Sequence, residues 1–224
     1  MLIEMENIEK RYPAGDKPVA ALRGVSFGVE EGEMVAILGP SGSGKSTLMN
    51  ILGCLDTPTG GKYRLAGQAV SDMSGRRLSA VRSRTVGFVF QNFHLLPGLT
   101  ALENVELPLI YRGMPAQRRR QAAMEALTRV GLSERTGHYP RALSGGQQQR
   151  VAIARAMAGA PPLLLADEPT GNLDSEAGRR VMELLTDWHA AGNTVILITH
   201  DPRIGAACPR RITVEDGRIL SDER

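Results

Sequence analysis

Gly39-Pro40-Ser41-Gly42-Ser43-Gly44-Lys45-Ser46 fits the pattern G-x-x-x-x-G-K-[ST], the phosphate-binding P-loop. Its glycines let the backbone turn successive N–H groups inward, forming an anion nest at a helix N-terminus. Lys45 can then reach the β- and γ-phosphates as a compact point charge, and the Ser46 hydroxyl can ligate Mg²⁺, with Thr47 next in the first turn. Four more signals follow in order: Gln91, then Leu143-Ser144-Gly145-Gly146-Gln147, then Asp167-Glu168 after the apolar run 163–166, then His200 after the run 194–199. A carboxylate at the carboxyl end of a buried strand stands where ligands bind in open α/β sheets. A neutral imidazole at another strand end can donate to a γ-phosphate, and a glutamine amide can reach both a metal and an attacking water. Taken singly, the Gln, the His and the Asp-Glu pair read equally well as surface or helix-capping residues. The loop by itself reads as a Gly-Ser linker until its neighbours are considered.

Those neighbours supply the strand, loop and helix that a true P-loop requires. Residues 34–38 are a short continuous apolar run, and residues 45–52 have helical character. Upstream, residues 2–9 and 19–29 read as strands joined by the turn Pro13-Ala14-Gly15-Asp16. A turn over 58–61 and a strand over 86–90, ending at Gln91, follow. The pattern then becomes helical. Residues 99–111 and 115–130 read as helices, the second carrying Arg118-Arg119-Arg120 near its N-terminus, where basic charge opposes the helix dipole. Those arginines form either a solvated face or a partner contact. Ser144 reads as an N-cap with Gln147 completing a capping box, and its helix runs to about Ala158. Short buried strands return at 163–166 and 195–198, separated by a helix over 175–191, and a hairpin over 212–220 turns at Asp216-Gly217. The expected organisation is one domain over 1–224. An α/β nucleotide-binding core (1–91 and 158–224) is interrupted by a helical subdomain, 92–157, that carries the signature.

Composition narrows the setting. With 224 residues, 42% of them hydrophobic and 23% charged, the chain can bury one sizeable core. A net charge of +3 is mild and argues neither for nor against a nucleic-acid partner; none is expected. Lys45 is one of only four lysines among 27 basic residues. Cys54 and Cys208 are too few for a disulfide framework or metal cluster and read as free thiols. The longest apolar runs fall far short of the roughly 20 residues that a membrane helix needs. If the chain powers transport, another polypeptide must form the path.

The ordered set of motifs resembles the nucleotide-binding subunit of ATP-binding-cassette (ABC) transporters over nearly the whole chain. The implied fold is a P-loop NTPase core with an antiparallel β subdomain and an inserted helical signature subdomain. Leu143-Ser144-Gly145-Gly146-Gln147 is the most specific feature, because ordinary P-loop enzymes lack it. The resemblance implies that Asp167 holds Mg²⁺, that Glu168 is the general base, and that Gln91 lies in a loop contacting metal and water. It implies that His200 is a γ-phosphate switch. Ser144, Gly145, Gly146 and Gln147 would close over the γ-phosphate held by a second subunit, so that a homodimer sandwiches two Mg-ATP. Gly171-Asn172-Leu173-Asp174 matches the loop between the two sites, with Asp174 at the nucleotide. Tyr12 fits the position of an aromatic stacked on adenine, or else covers the edge of the core.

Three stretches resemble the MacB/LolD/FtsE-like group, which serves FtsX/MacB-like membrane permeases: Met49-Asn50-Ile51-Leu52-Gly53-Cys54-Leu55-Asp56, then residues 95–105, then Glu168-Pro169-Thr170-Gly171-Asn172-Leu173-Asp174. This implies an ATPase peripheral to the cytoplasmic face of the inner membrane that powers export or extraction of an amphiphile such as a lipoprotein, antibiotic or peptide. The alternative is a signalling ATPase driving a permease-like activator of a cell-wall hydrolase. Residues 92–102 are unusually apolar for a loop and suit either a docking groove for the permease or the subdomain's own core.

Overall fold

A computed structural model describes residues 1–15 and 17–224; Asp16, the last residue of the expected first turn, lies outside the described residues. Along the chain the elements are β1 (Ile3–Tyr12), β2 (Val19–Val29), β3 (Met34–Leu38), α1 (Lys45–Leu52), β4 (Gly60–Leu65), β5 (Gln68–Ala69), α2 (Gly75–Thr85), β6 (Val86–Val89), α3 (Ala101–Tyr111), α4 (Ala116–Arg129), α5 (Gly145–Met157), β7 (Leu163–Asp167), α6 (Ser175–Ala190), β8 (Thr194–Ile198), α7 (Pro202–Ala206), β9 (Arg210–Glu215) and β10 (Arg218–Glu223). They fall into two compact units, residues 1–82 with 192–224, and residues 83–191. Among the described residues, no helix is long and apolar enough to cross a membrane.

In the first unit, β2, β1, β4 and β5 form an antiparallel sheet in that order. β1 does not keep one alternation throughout. Ile3 and Met5 are buried, then Ile8 and Lys10, so the inward phase shifts by one residue between them. Both partner strands record the shift: the register slips between Met5 and Ile8 against β2 and between Glu6 and Glu9 against β4. The extra residue is a β-bulge around Asn7, which sits at φ 50 with its N–H donated to Ser26 Oγ (2.8 Å). Asparagine tolerates that left-handed geometry better than most residues. The other strand group pairs β3 in parallel with β8 and β9, and β9 with β10 as an antiparallel hairpin. β8 is buried throughout and β3 is buried except for its last residue, which is why both read as continuous apolar runs.

Both thiols of this unit are free and buried. Burial pushes Cys54 and Cys208 up to about 11, with Arg82 working weakly against the shift at Cys54. Since thiolate is the nucleophile, the native protein at pH 8 is expected to react with Ellman's reagent more than about 100-fold slower than a free thiol. Two equivalents should then appear on unfolding. Fast labelling of the folded chain would contradict this burial.

In the second unit, β6 and β7 pair in parallel from Val86↔Leu163 to Val89↔Ala166. α3 begins at a capping box, with Thr100 and Glu103 satisfying each other's backbone N–H. The loop before it is folded onto Asn104, which is fully buried: its Oδ1 accepts from Leu96 N–H (2.8 Å) and its Nδ2 donates to the carbonyls of Leu96, Leu99 and Thr100. α4 has no acidic residue in its first turn, and Arg118 and Arg120 are exposed as a solvated face would be. Arg119 departs from that reading: it is half-buried and donates to Met114 O (3.3 Å). α5 starts at Ser144 with the expected capping box, Ser144 Oγ accepting from Gln147 N–H (3.3 Å) and Gln147 Oε1 from Ser144 N–H (2.9 Å).

Candidate functional site

In the first unit, the backbone of the P-loop admits no side chain at two glycines. Gly39 and Gly44 have φ 153 and 104. A Cβ on Gly39 would stand 2.1 Å from Val214 O, and one on Gly44 2.6 Å from Ala21 O. The terminal hairpin clamps the loop: Gly217 N–H donates to Ser43 O (2.9 Å) and Gly217 O accepts from Arg23 N–H (2.8 Å). Ser43 is buried, whereas Pro40, Ser41, Gly42 and Ser46 are exposed and Thr47 is half-buried. No side chain caps the first turn of α1, so its amide dipoles face the loop. Lys45 Nζ donates to the carbonyls of Gly39 and Pro40 (2.7 Å each), folding its ammonium over the loop.

Two further residues share this unit. β3 and β8 run parallel with Ile37 opposite Ile198, so Gly39 and His200 leave the same carboxyl edge, each two positions beyond that pair. His200 is exposed there. Tyr12 lies on the inward phase of β1 set by the bulge. Its hydroxyl donates to Asp56 Oδ2 (2.9 Å), and Lys10 Nζ stands 4.9 Å from its ring centre while donating to Asp56 Oδ1 (2.6 Å). Burial, then the Asp56 contact, holds the phenol above its ordinary range. Burial alone would raise Asp56, but the Lys10 and Tyr12 hydrogen bonds outweigh it and hold the carboxyl low. Tyr12 is therefore a ring fixed at its far end, half-buried on one side.

The second unit repeats the strand-end arrangement. Val89 pairs with Ala166, so Gln91 and Glu168 also leave a common carboxyl edge, each two positions beyond the pair, with Asp167 ending β7. Asp167 and Glu168 are half-buried. Glu168 adopts φ 44 immediately before Pro169, a combination that costs of order 1–3 kcal/mol unless neighbours hold it. The turn behind it closes through Gly171 N–H to Glu168 O (3.0 Å). Asn172 ties this turn to Gln91: its Nδ2 donates to Gln91 O (3.1 Å), and its Oδ1 accepts from Gln91 Nε2 (3.5 Å).

Ser144, Gly145, Gly146 and Gln147 line a cavity of about 400 Å³ together with Asn172, Leu173 and Asp174. Asp174 caps α6 through Ala177 N–H (2.8 Å). Gly146 has a packing reason for being glycine, since a Cβ there would meet the Ala177 methyl at 2.8 Å. Arg150, Glu176, Ala177 and Arg180 complete the wall; burial, then the charge of Arg180, lowers the Arg150 guanidinium. The helix N-terminus and the Arg150 guanidinium are the groups here that attract an anion, while Asp174 and the ion pair of Glu176 with Arg180 add carboxylates to the same wall. Phe93, in the stretch read as either docking groove or subdomain core, brings its ring to within ordinary contact of the Gly145 position.

The sequence and fold of this chain match known proteins. The family model for the ABC transporter matches residues 22–171. The chain belongs to the ABC transporter family. An uncharacterized ABC transporter ATP-binding protein of Thermotoga maritima is 54% identical over 223 residues, covering all of this chain and 95% of that protein. The macrolide export ATP-binding/permease protein MacB of Chromobacterium violaceum is 52% identical over 220 residues, 98% of this chain; the chain spans 34% of the length of that relative. Among solved structures, a dimeric post-hydrolysis state of the ATP-binding cassette MJ0796 bound to ADP and Pi superposes with a TM-score of 0.91 at 45% identity, covering 99% of this chain and 98% of that one. The chain is an ABC ATPase with the α/β P-loop NTPase fold and its antiparallel β subdomain.

Some residues that hold or adjoin the motif residues within each unit of this ABC ATPase escaped the sequence reading. Asn172, Arg150 and Asp56 sit in or beside recognised motifs, but their partners are remote in sequence. Gln149 carried a readable signal: its spacing to Ala152, Ile153 and Ala156 puts it on the buried stripe of α5, where a polar side chain must find a partner.

Proposed function

We propose that this chain binds and hydrolyses Mg-ATP as a homodimer around two nucleotides and powers an FtsX/MacB-type permease for export or extraction of an amphiphile. The observation that carries this reading is the cavity lined by the signature residues at the N-terminus of α5, in a chain whose P-loop already supplies one phosphate nest at α1. Two such termini per chain match two nucleotides per pair, each closed by the signature of the other chain. The dimeric MJ0796 cassette supports the pairing, and the MacB name of several relatives supports export over signalling.

In this reading Lys45 and the loop amides bind the β- and γ-phosphates, and Tyr12 offers its face to adenine. Ser46, with its exposed hydroxyl, and the Asp167 carboxylate are the hard oxygen donors for Mg²⁺; Gln91 adds an amide oxygen. Among the described residues no three His, Cys, Asp or Glu side chains converge as a metal cage. That fits a cation which takes a single carboxylate beside neutral oxygens and keeps waters and phosphate oxygens. When bound, Mg²⁺ supplies charge neutralisation at the phosphates. Glu168 accepts the proton of the attacking water, Gln91 orients that water, and His200 donates to the γ-phosphate. Residues 92–157 act as the signature-bearing subdomain, and the protein works at the cytoplasmic face of the inner membrane.

Docking to the permease is proposed at Leu96, an apolar side chain that is 46% exposed. The Leu96 backbone is held by Asn104, so the side chain is presented on a fixed frame. Leu96→Ser is expected to leave folding and basal ATPase activity unchanged. Recovery of the membrane partner in a pull-down from detergent-solubilised native membranes should fall about tenfold, the cost of a lost apolar anchor. Unchanged recovery would move the docking surface elsewhere. Identification of the recovered protein as an activator of a cell-wall hydrolase would replace export by signalling.

A further inference from the structure

We propose that Gln149 is a positioning residue for hydrolysis, holding the backbones that carry Glu168 and Gln91 to the signature helix. The proposal rests on the reading of Glu168 as the base and Gln91 as the water-orienting amide.

Gln149 lies on α5, shortly after the signature residues, and is fully buried. Its Nε2 donates to Pro169 O (2.7 Å) and to Phe90 O (3.3 Å). Those two carbonyls belong to the residue after Glu168 and the residue before Gln91. Two acceptors fix the orientation of the amide, because the flipped form would point its oxygen at both. The geometry carries a cost. Gln149 Oε1 is buried and accepts no hydrogen bond. A side chain that only filled space would do better as methionine, which has similar length and leaves no acceptor unsatisfied. What the amide adds is a pair of donors, and both are spent on the two backbones that leave the β6–β7 edge.

The need for such a hold is visible at Glu168. Its left-handed φ before a proline persists only if the surrounding backbone is constrained. The Gln149 bond to Pro169 O acts on the residue immediately after it, opposite in sequence to the strand pairing that fixes Ala166. One side chain on the signature helix thus restrains both water-handling residues at once, and displacement of α5 would be felt at both.

The test is steady-state Mg-ATP hydrolysis by the full chain carrying Gln149→Met, with Glu168→Gln as a parallel control. Misplacement of the reacting groups by a fraction of an ångström is expected to lower kcat about 10- to 100-fold. KM for ATP should stay within about twofold, since phosphate binding is left intact. The melting temperature should change by no more than a few degrees. Gln149→Asn, which keeps the amide but withdraws it by one methylene, is read in the same way and serves if the Met variant does not fold. Wild-type kcat in a folded variant would overturn the proposal, as would a fall in kcat matched by a rise in KM and loss of stability. The control separates the two readings: an inactive Glu168→Gln beside a fully active Gln149→Met removes this inference alone. An active Glu168→Gln removes the base assignment and this inference with it.

Discussion

Glu168→Gln is expected to bind Mg-ATP and fail to turn it over, with kcat reduced about 10²- to 10⁴-fold, the range attributed to a positioned general base. The amide preserves size and can keep the strained backbone of its parent, but it cannot accept the proton of water. Because phosphate contacts are untouched, the ATP-bound pair should accumulate and elute as a dimer on size exclusion with Mg-ATP, and return to monomer once nucleotide is removed. Full hydrolysis by this variant would show that the carboxylate leaving the β7 edge is not the base.

The second large effect needs two damaged chains. Lys45→Ala removes the ammonium from the P-loop and is expected to abolish measurable ATP binding in a direct titration. Ser144→Arg removes the N-cap of α5, a loss of about 1 kcal/mol in helix stability, and fills the signature cavity with a bulky cation. Each variant alone should be nearly inactive. Mixed, they form a heterodimer in which one composite site carries both defects and the other carries neither, so activity should return to a sizeable fraction of the expected heterodimer population. Absence of recovery, with both variants folded and mixed dimers present by native mass spectrometry, would count against shared sites. Wild-type activity strictly linear in protein at high dilution would do the same.

Features that depend on neighbours in sequence were legible, and features that depend on distant pairing were not. The capping box at Ser144 and Gln147 needs only one helical turn, and its geometry is as read. Continuous apolar runs at 34–38, 163–166 and 195–198 mark strands buried on both faces, and each strand end delivers a motif residue. α2 escaped notice because its sequence is arginine-rich, and Leu78 is its one buried large apolar side chain. β4 and β5 are short and partly polar, and β4 is a strand through its long pairing with β1. The apolar stretch after Gln91 divides between Phe93, turned toward the signature, and Leu96, turned to solvent; sequence alone shows only that both are apolar. Consecutive left-handed residues at Phe93 and His94 are set by Arg155, which donates to both carbonyls from α5, a partner some sixty positions away.

The bulge at Asn7 bears on how this protein can change over time. Past it, the inward side of β1 passes from odd-numbered to even-numbered residues, so Lys10 and Tyr12 face inward because the bulge absorbs one residue out of the alternation. Deletion of Asn7 itself would remove the bulge and leave Ile8, Lys10 and Tyr12 on the inward phase of a regular strand. Insertion of one residue between Ile8 and Glu9 would be far more disruptive than most substitutions at Tyr12 itself. It would turn the ring and its lysine to solvent and bring Glu9 and Arg11 inward. Point changes can tune the platform gradually, whereas a change of strand length past the bulge can only remove it. The spacing from Ile8 to Tyr12 is therefore expected to be held more strictly than the identity of the exposed residues along it.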